Sequence, residues 1–363
     1  MNKRIKIVFT IPNFDTAGSG RVVYDLVKHI DTSKFEPHVC CNHDRGSFFK
    51  EVEALNVPIH IFTVAENYKP LITLPQRILK IKNFFKKHNF DVIHSWHWSS
   101  DFTEPVAAKL AGIPFIYTKK AMGWGNKSWR WRTKLSTKVV AINQDMLSEF
   151  FKPYLDKVIY MPLGVATSYF KPLQLNNELK TELGIQPSDF VIISVANLVR
   201  VKGIERLLEA VINIKNRNII LLIIGSDTND YAKNLKSLYK ANNIRFLGAQ
   251  QDVRPYLNMA DLFVIPTLKK GEGFPIALVE AMSSQCLVIG SNVSGIKDIL
   301  RPFNKFIFEG DTKSLKEKIE QVLNLDESNH QEVATLMRQH IVQNYSIGVF
   351  IKNHENLYAS MLK

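Results

Sequence analysis

The stretch Gly271-Glu272-Gly273-Phe274-Pro275-Ile276-Ala277-Leu278-Val279-Glu280 sets two carboxylates around a glycine-rich turn. The apolar run before it, Leu262-Phe263-Val264-Ile265-Pro266, reads as a buried strand. The residues beyond the glycines read as a helix with Pro275 in its first turn, where the missing N–H is no loss. Free N–H groups of a first helical turn, with the dipole behind them, suit a phosphate. A carboxylate beside a phosphate is repelled by it. Glu272 and Glu280 make sense there as acceptors for sugar hydroxyls on either side of a diphosphate. The plainer alternative is a strand–helix junction with two solvated glutamates, and spacing alone does not separate the two.

Three further groups of residues could carry chemistry. Asn197-Leu198-Val199-Arg200-Val201-Lys202-Gly203 is a basic loop after the strand Phe190–Ala196. Gly18-Ser19-Gly20-Arg21-Val22-Val23 comes after the strand Ile5–Ile11, and its glycines let backbone approach a ligand. It is not a full dinucleotide fingerprint, because Val23 stands where the third glycine belongs. Finally, all five tryptophans fall between 96 and 131, near His94, His97 and Lys119-Lys120. Trp96 and Trp124 are candidates to stack on a sugar or to sit at a lipid interface, with two or three of the five in the core. His94 and His97 lack a third metal ligand nearby. No Asp-x-Asp pair occurs, so no metal is expected to hold a diphosphate.

These residues need elements to position them. Strands alternate with helices along the whole chain, which specifies α/β domains with parallel sheets. A helix is expected over Val22–Ile30. Strands are expected at Pro37–Cys41, Ile59–Thr63, Asp91–His94, Pro114–Thr118 and Lys138–Ile142. The stretch Leu74–His88 mixes five basic residues with an apolar stripe; packing on a sheet is the preferred reading over a membrane surface. Residues 165–187 are irregular and polar and mark a boundary. The second half repeats the alternation through Asn218–Ile224, Ile244–Gly248 and Cys286–Gly290, then ends in helices. Two domains of this kind form a ligand cleft between their strand ends.

The chain has 363 residues, 45% hydrophobic and 22% charged, the balance of a soluble enzyme. Its three cysteines form neither a disulfide framework nor a zinc spacing, which fits a reducing cytoplasm. The start Met1-Asn2-Lys3-Arg4-Ile5-Lys6 lacks the apolar core of a signal peptide, and no run reaches the length of a membrane span. The net charge is +13. Residues 1–170 hold 24 Lys/Arg against 14 Asp/Glu, and residues 171–363 hold 23 against 20. A basic first half attracts polyanions, and an inner-membrane surface ranks above nucleic acid because no nucleic-acid motif accompanies the charge.

The Glu272-Gly273-Phe274-Pro275 run with Glu280 resembles the paired-glutamate motif of retaining GT-B glycosyltransferases of the glycosyltransferase-four type (glycosyl transferases group 1). Ala196–Asn197 to Ile204 is similar to that family's basic loop, Gly18–Arg21 to its first glycine loop, and Met161–Val165 with Phe170 to its linker. The resemblance implies two Rossmann-like domains facing a cleft. Residues 1–165 would bind acceptor, 166–345 the nucleotide sugar, and 346–363, around Tyr358, would form a helix crossing back to the first domain. It implies that Glu280 takes the ribose hydroxyls and Glu272 the donor sugar. Gly273, Phe274, Pro275 and Ile276 form the phosphate turn. Lys202 and Arg200 neutralise the leaving diphosphate, with Gly18 and Asn197 nearby and Phe246 at the base. Trp96, His97, Lys120 and Trp124 lie on the acceptor side.

The implied activity is hexosyl transfer from a nucleotide-diphosphate sugar, UDP- before GDP-, to a glycan or lipid-linked acceptor of the cell envelope. It needs no cofactor or metal, binds no nucleic acid, and takes place in the cytoplasm or peripherally at the membrane's inner face. Three positions depart from the family: Asn197 where Arg is common, Lys119-Lys120 where a His is common, and Ala17 where a glycine is usual. Rival readings are a GT-B sugar-nucleotide epimerase or phosphorylase, a nicotinamide-dependent oxidoreductase, and a non-enzymatic basic binder.

Overall fold

The computed structural model describes residues 3–15, 17–215 and 218–362; of Ala17 only the backbone is described. Met1 and Asn2, at the basic start, lie outside the described residues. The chain divides into two compact units, Met1–Leu163 with Gly348–Lys363, and Gly164–Ile347.

Unit 1 is built on a seven-stranded sheet. Its strands are β1 (Ile5–Thr10), β2 (Phe35–Cys41), β3 (Ile59–Ile61), β4 (Val92–Ser95), β5 (Phe115–Lys119), β6 (Lys138–Ala141) and β7 (Val158–Tyr160). They lie in the order β3-β2-β1-β4-β5-β6-β7. Every pairing is parallel, with Ile7 opposite Pro37 and Val92. The order reverses between β1 and β4, so the loops that leave these two strands open side by side at a switch point. Helices cover the faces. Leu74–His88 buries Ile78, Ile81 and Phe85 and ends at Asn89 in the left-handed conformation, φ 52°. Its apolar stripe is used for packing within the unit.

The helix Ile347–Ser360 belongs to this unit almost entirely, and it explains His94. The Tyr358 hydroxyl meets His94 Nδ1 at 2.7 Å, and Thr118 Oγ1 meets Nε2 at 2.8 Å. Phe9 and Phe35 pack edge-on against the Tyr358 ring. Glu355 accepts the Asp31 N–H at 2.8 Å. His94 is fully buried with both nitrogens satisfied, and burial holds its pKa well below the usual value. It is a structural residue.

Unit 2 carries a six-stranded parallel sheet of β8 (Phe190–Val195), β9 (Ile219–Ile224), β10 (Ile244–Gly248), β11 (Leu262–Ile265), β12 (Leu287–Ser291) and β13 (Ile307–Phe308). The order is β10-β9-β8-β11-β12-β13, reversing between β8 and β11. β9 is apolar and buried at every position, as a central parallel strand covered on both faces must be. Gly225 has φ 159°, and a Cβ there would stand 1.9 Å from the Ala196 carbonyl oxygen. Only glycine lets the β9 loop lie against the β8 loop.

Several bounds differ from the sequence expectation. The first helix runs Ala17–His29 and already includes the glycine loop, with a kink at Gly18. β2 begins at Phe35, ahead of Pro37, and β12 at Leu287 rather than Cys286. The 165–187 segment contains a helix, Asn177–Glu182, capped by the Asn176 side chain on the Leu179 N–H. Trp129–Leu135 is also helical.

Tyr358→Phe removes the hydroxyl and leaves a buried His94 nitrogen unpaired while keeping the ring contacts. The expected loss is about 1–3 kcal/mol. It should read as a Tm lower by several degrees in calorimetry; an unchanged Tm would show that the bond contributes nothing.

Candidate active site

In unit 2 the loops after β8 and β11 are tied together by backbone first. The Leu268 N–H donates to the Val201 carbonyl at 2.8 Å. Gly203, φ 67°, brings its Cα so close that a Cβ would lie 2.1 Å from the Pro266 oxygen. A Cβ on Gly271 would meet Val201 and Thr267 at 2.6 and 2.7 Å. These close approaches set the side chains. Lys202, on the 3₁₀ turn Arg200–Lys202, donates to Glu272 Oε2 at 2.6 Å and to the Gly271 carbonyl at 3.3 Å. Burial raises the Glu272 pKa, and Lys202 with the Gly273 N–H opposes that rise. An acid and a base in contact, both mostly out of water, form a polar centre at the switch point of the sheet.

The glycine-rich turn is locked from its other side. Gly295, φ 76°, leaves a Cβ only 2.8 Å from the Gly273 oxygen. The Phe274 ring is buried beside Tyr345, so Phe274 can offer only backbone to a ligand. Pro275 is the residue before the helix Ile276–Ser283 rather than a member of its first turn. The Ile276 N–H donates back to the Phe274 carbonyl at 3.1 Å. That corrects the expectation of a first-turn Pro275 with an uncommitted Ile276 N–H. Glu280 stands half-buried within this helix.

The other predicted donor-side residues are spread more widely. Asn197 and Arg200 are exposed, and the Arg200 guanidinium lies 5.8 Å above the Tyr231 ring. Phe246 is half-buried and packs against the unit 2 core. Its strand is an edge strand with an irregular register between Phe246 and Gly248. Gly18 is in unit 1, exposed at the kink of its helix.

The acceptor-side set of unit 1 needs correction. Trp96 is fully buried between the His94 and His354 rings and cannot be a stacking platform. The C-terminal helix, which supplies His354, covers it. Trp124 and Trp129 are half-buried and stacked on each other at 4.9 Å. The exposed indoles are Trp98 and Trp131, at 70% and 58%. Around Trp98 the structure does gather His97, Lys120 and Trp124, with Ser19 and Lys119, on a cavity of about 100 Å³. Behind it, Arg132 and Glu104 form a completely buried ion pair at 2.8 Å, shared with the Ser95 hydroxyl. Sequence reasoning missed this pair: Arg132 lies in a tryptophan- and arginine-rich run that reads as surface. Burial lowers the Lys119 ammonium to about 8 and the Lys120 ammonium to about 7, the latter helped by Arg132 and Lys119. Burial also lowers His97 to about 4, which keeps it neutral near pH 7. Among the described residues no group of three His, Cys, Asp or Glu is placed to hold a metal ion.

Two family profiles match the chain. One, described as "Glycosyl transferases group 1", matches residues 176–335. The other, described as "Glycosyltransferase Family 4", matches residues 16–169. The chain is a group 1 glycosyltransferase. The nicotinamide and non-enzymatic readings fall with that. An Escherichia coli relative, the UDP-Gal:alpha-D-GlcNAc-diphosphoundecaprenol alpha-1,3-galactosyltransferase, is 25% identical over 80% of this chain and 81% of its own. N-acetyl-alpha-D-glucosaminyl L-malate synthase of Bacillus anthracis is 26% identical over 66% of this chain. The match spans 63% of that enzyme, under two thirds of its length. Among solved structures, Anabaena HepE in complex with UDP and glucose superposes with a TM-score of 0.81. It covers 98% of this chain and 100% of its own at 18% identity, a likeness of fold, here GT-B.

The glycosyltransferase's Lys120 yields a pH test. An unfolded lysine stays charged to about pH 10.4, whereas folded Lys120 loses its proton near 7. The burial penalty on its charge is therefore full at pH 6 and shrinks as pH rises above 7. Lys120→Met should raise Tm more at pH 6 than at pH 9. An equal shift at both values would contradict the assignment.

Proposed function

We propose that this glycosyltransferase moves a hexose from a nucleotide-diphosphate sugar, UDP- in preference to GDP-, to a glycan or lipid-linked glycan acceptor in cell-envelope polysaccharide synthesis. The observation that carries the reading is the Lys202–Glu272 contact beside the glycine-rich turn, 2.6 Å long at the strand-order reversal of unit 2. Strand ends at such a reversal are where open parallel sheets bind ligands. UDP in the fold neighbour HepE and UDP-Gal in the name of the E. coli relative support the donor. Diphosphoundecaprenol in that same name supports a lipid-linked acceptor.

Unit 2 is the donor side and unit 1 the acceptor side. Glu280 accepts the ribose hydroxyls and Glu272 the hydroxyls of the sugar. The Phe274 and Ala277 backbone N–H groups receive the distal phosphate. Lys202, backed by Arg200, stabilises the negative charge that grows on the diphosphate as its bond to the anomeric carbon breaks. The acceptor oxygen forms its new bond on the same face, with retention, and the departing phosphate oxygen takes its proton. No metal is needed in this scheme, because a lysine and the N–H groups of a turn meet the charge. The basic first half, with no helix among the described residues long and apolar enough to cross a membrane, fits work at the cytoplasmic face by peripheral attachment.

Steady-state kinetics with a UDP-hexose test the roles. Glu280→Ala should raise donor KM about tenfold or more, since a charge-assisted bond contributes roughly 1.5–3 kcal/mol. Glu272→Ala should act chiefly on kcat, by about 10²-fold. An unchanged donor KM in purified Glu280→Ala removes Glu280 from the nucleotide site. Activity should also persist in excess EDTA; its loss, restored by a divalent cation, would overturn metal independence.

A further inference from the structure

Unit 1 contains two neighbouring ammonium groups that no acid among the described residues neutralises. Lys119 ends β5 and is buried; its Nζ donates to the Gly123 carbonyl at 2.5 Å and lies 3.9 Å above the Trp124 ring. Lys120 comes next, with its Nζ bonded to the Trp96 carbonyl and 5.4 Å from the Trp98 ring centre. Carbonyls and aromatic faces attract a cation but do not cancel its charge. Among the described residues neither lysine has a carboxylate partner. The buried acid nearby, Glu104, is committed to Arg132, Ser95 and Thr10. Such an arrangement is costly unless the amines give up their protons or an anion from outside the chain completes it.

A second observation points the same way. His97 lines the same cavity and is 5% exposed, yet its Nε2 has no hydrogen-bond partner among the described residues. A buried ring nitrogen without a partner needs a ligand atom or a water. Trp124 Nε1, on the same wall, is also without one. Ser19, at the start of the helix after β1, adds a hydroxyl to the lining. The cavity, about 100 Å³, suits one small anionic group better than a whole sugar.

We propose that the cavity lined by Ser19, His97, Lys119, Lys120 and Trp124 binds an oxyanion carried by the acceptor, a phosphate or a carboxylate, through both lysine ammonium groups and His97 Nε2. The word acceptor rests on the glycosyltransferase reading above; the anion site itself rests on the unpaired cations and the open nitrogen. The anion anchors the acceptor in unit 1 and leaves its hydroxyl free to be glycosylated. Lys119 and Lys120 then set acceptor specificity: an uncharged acceptor lacks the group they bind.

Titration of the full chain, monitored by tryptophan fluorescence with excess UDP present throughout, tests this. Farnesyl diphosphate, inorganic phosphate and L-malate are the probes. Saturation by farnesyl diphosphate or phosphate assigns the site to a phosphate, saturation by malate to a carboxylate. Lys119→Gln and Lys120→Gln should each weaken the bound probe at least about tenfold, and Lys120→Arg should restore most of that loss. Wild-type binding should also weaken as salt rises, a readout that needs no variant to fold. No saturable binding by any probe, or equal affinity in the glutamine variants, overturns the proposal. The UDP shift in Tm, read separately, reports on the donor side, so failure of one reading is distinguishable from failure of the other.

Discussion

The contact between Lys202 and Glu272 is the constraint around which unit 2 is arranged. It spans loops 70 residues apart in sequence and holds both side chains mostly out of water, at 20% and 13% exposure. A pair of this kind adds little net stability, but removing one partner strands a charge and costs about 3–5 kcal/mol. Its value is positional. Three glycines, Gly203, Gly271 and Gly295, let the surrounding loop backbones close around it, and a Cβ on any of them would collide. The parallel sheet beneath brings β8 and β11 side by side, so both loops leave the same edge. The same close backbone approaches hold the glycine-rich turn that leads into the helix bearing Glu280.

Unit 1 obeys the same sheet logic with a different electrostatic outcome. Its buried cation Arg132 is matched by Glu104 with no exposure on either side. Lys119 and Lys120, on the strand end in front of that pair, are not matched. Where unit 2 closes its charge internally, unit 1 leaves positive charge and an open histidine nitrogen facing a cavity. A donor diphosphate must compete with Glu272 for Lys202, while an anion entering unit 1 displaces no acid.

The sequence made the alternation of strands and helices plain, because the sheets are parallel and their strands are nearly continuous apolar runs, β9 above all. The paired glutamates were legible for a similar reason: strand, glycines and helix are local features. The hidden features depend on distant contacts. Trp96 read as a platform because nothing near it in sequence shows that His354, from the far end of the chain, covers it. Phe246 read as a base contact, and its packing against the core of its own unit depends on neighbours distant in sequence. The short helix Trp129–Leu135 was obscured by its bulky aromatic and basic residues, and its one buried arginine cannot be told from its exposed neighbours by type. The 2.6 Å bond from Lys202 to Glu272 could not be read either, since each residue alone suited a ligand.

Calorimetric titration of UDP into the wild-type chain and into Lys202→Met addresses the central claim most directly. The account predicts saturable binding by the wild type and an affinity lower by at least about tenfold in the variant, the loss of one charge-assisted contact to a phosphate. Equal affinities in the two proteins, or no binding to the wild type by UDP or GDP, would contradict the placement of the donor diphosphate at Lys202.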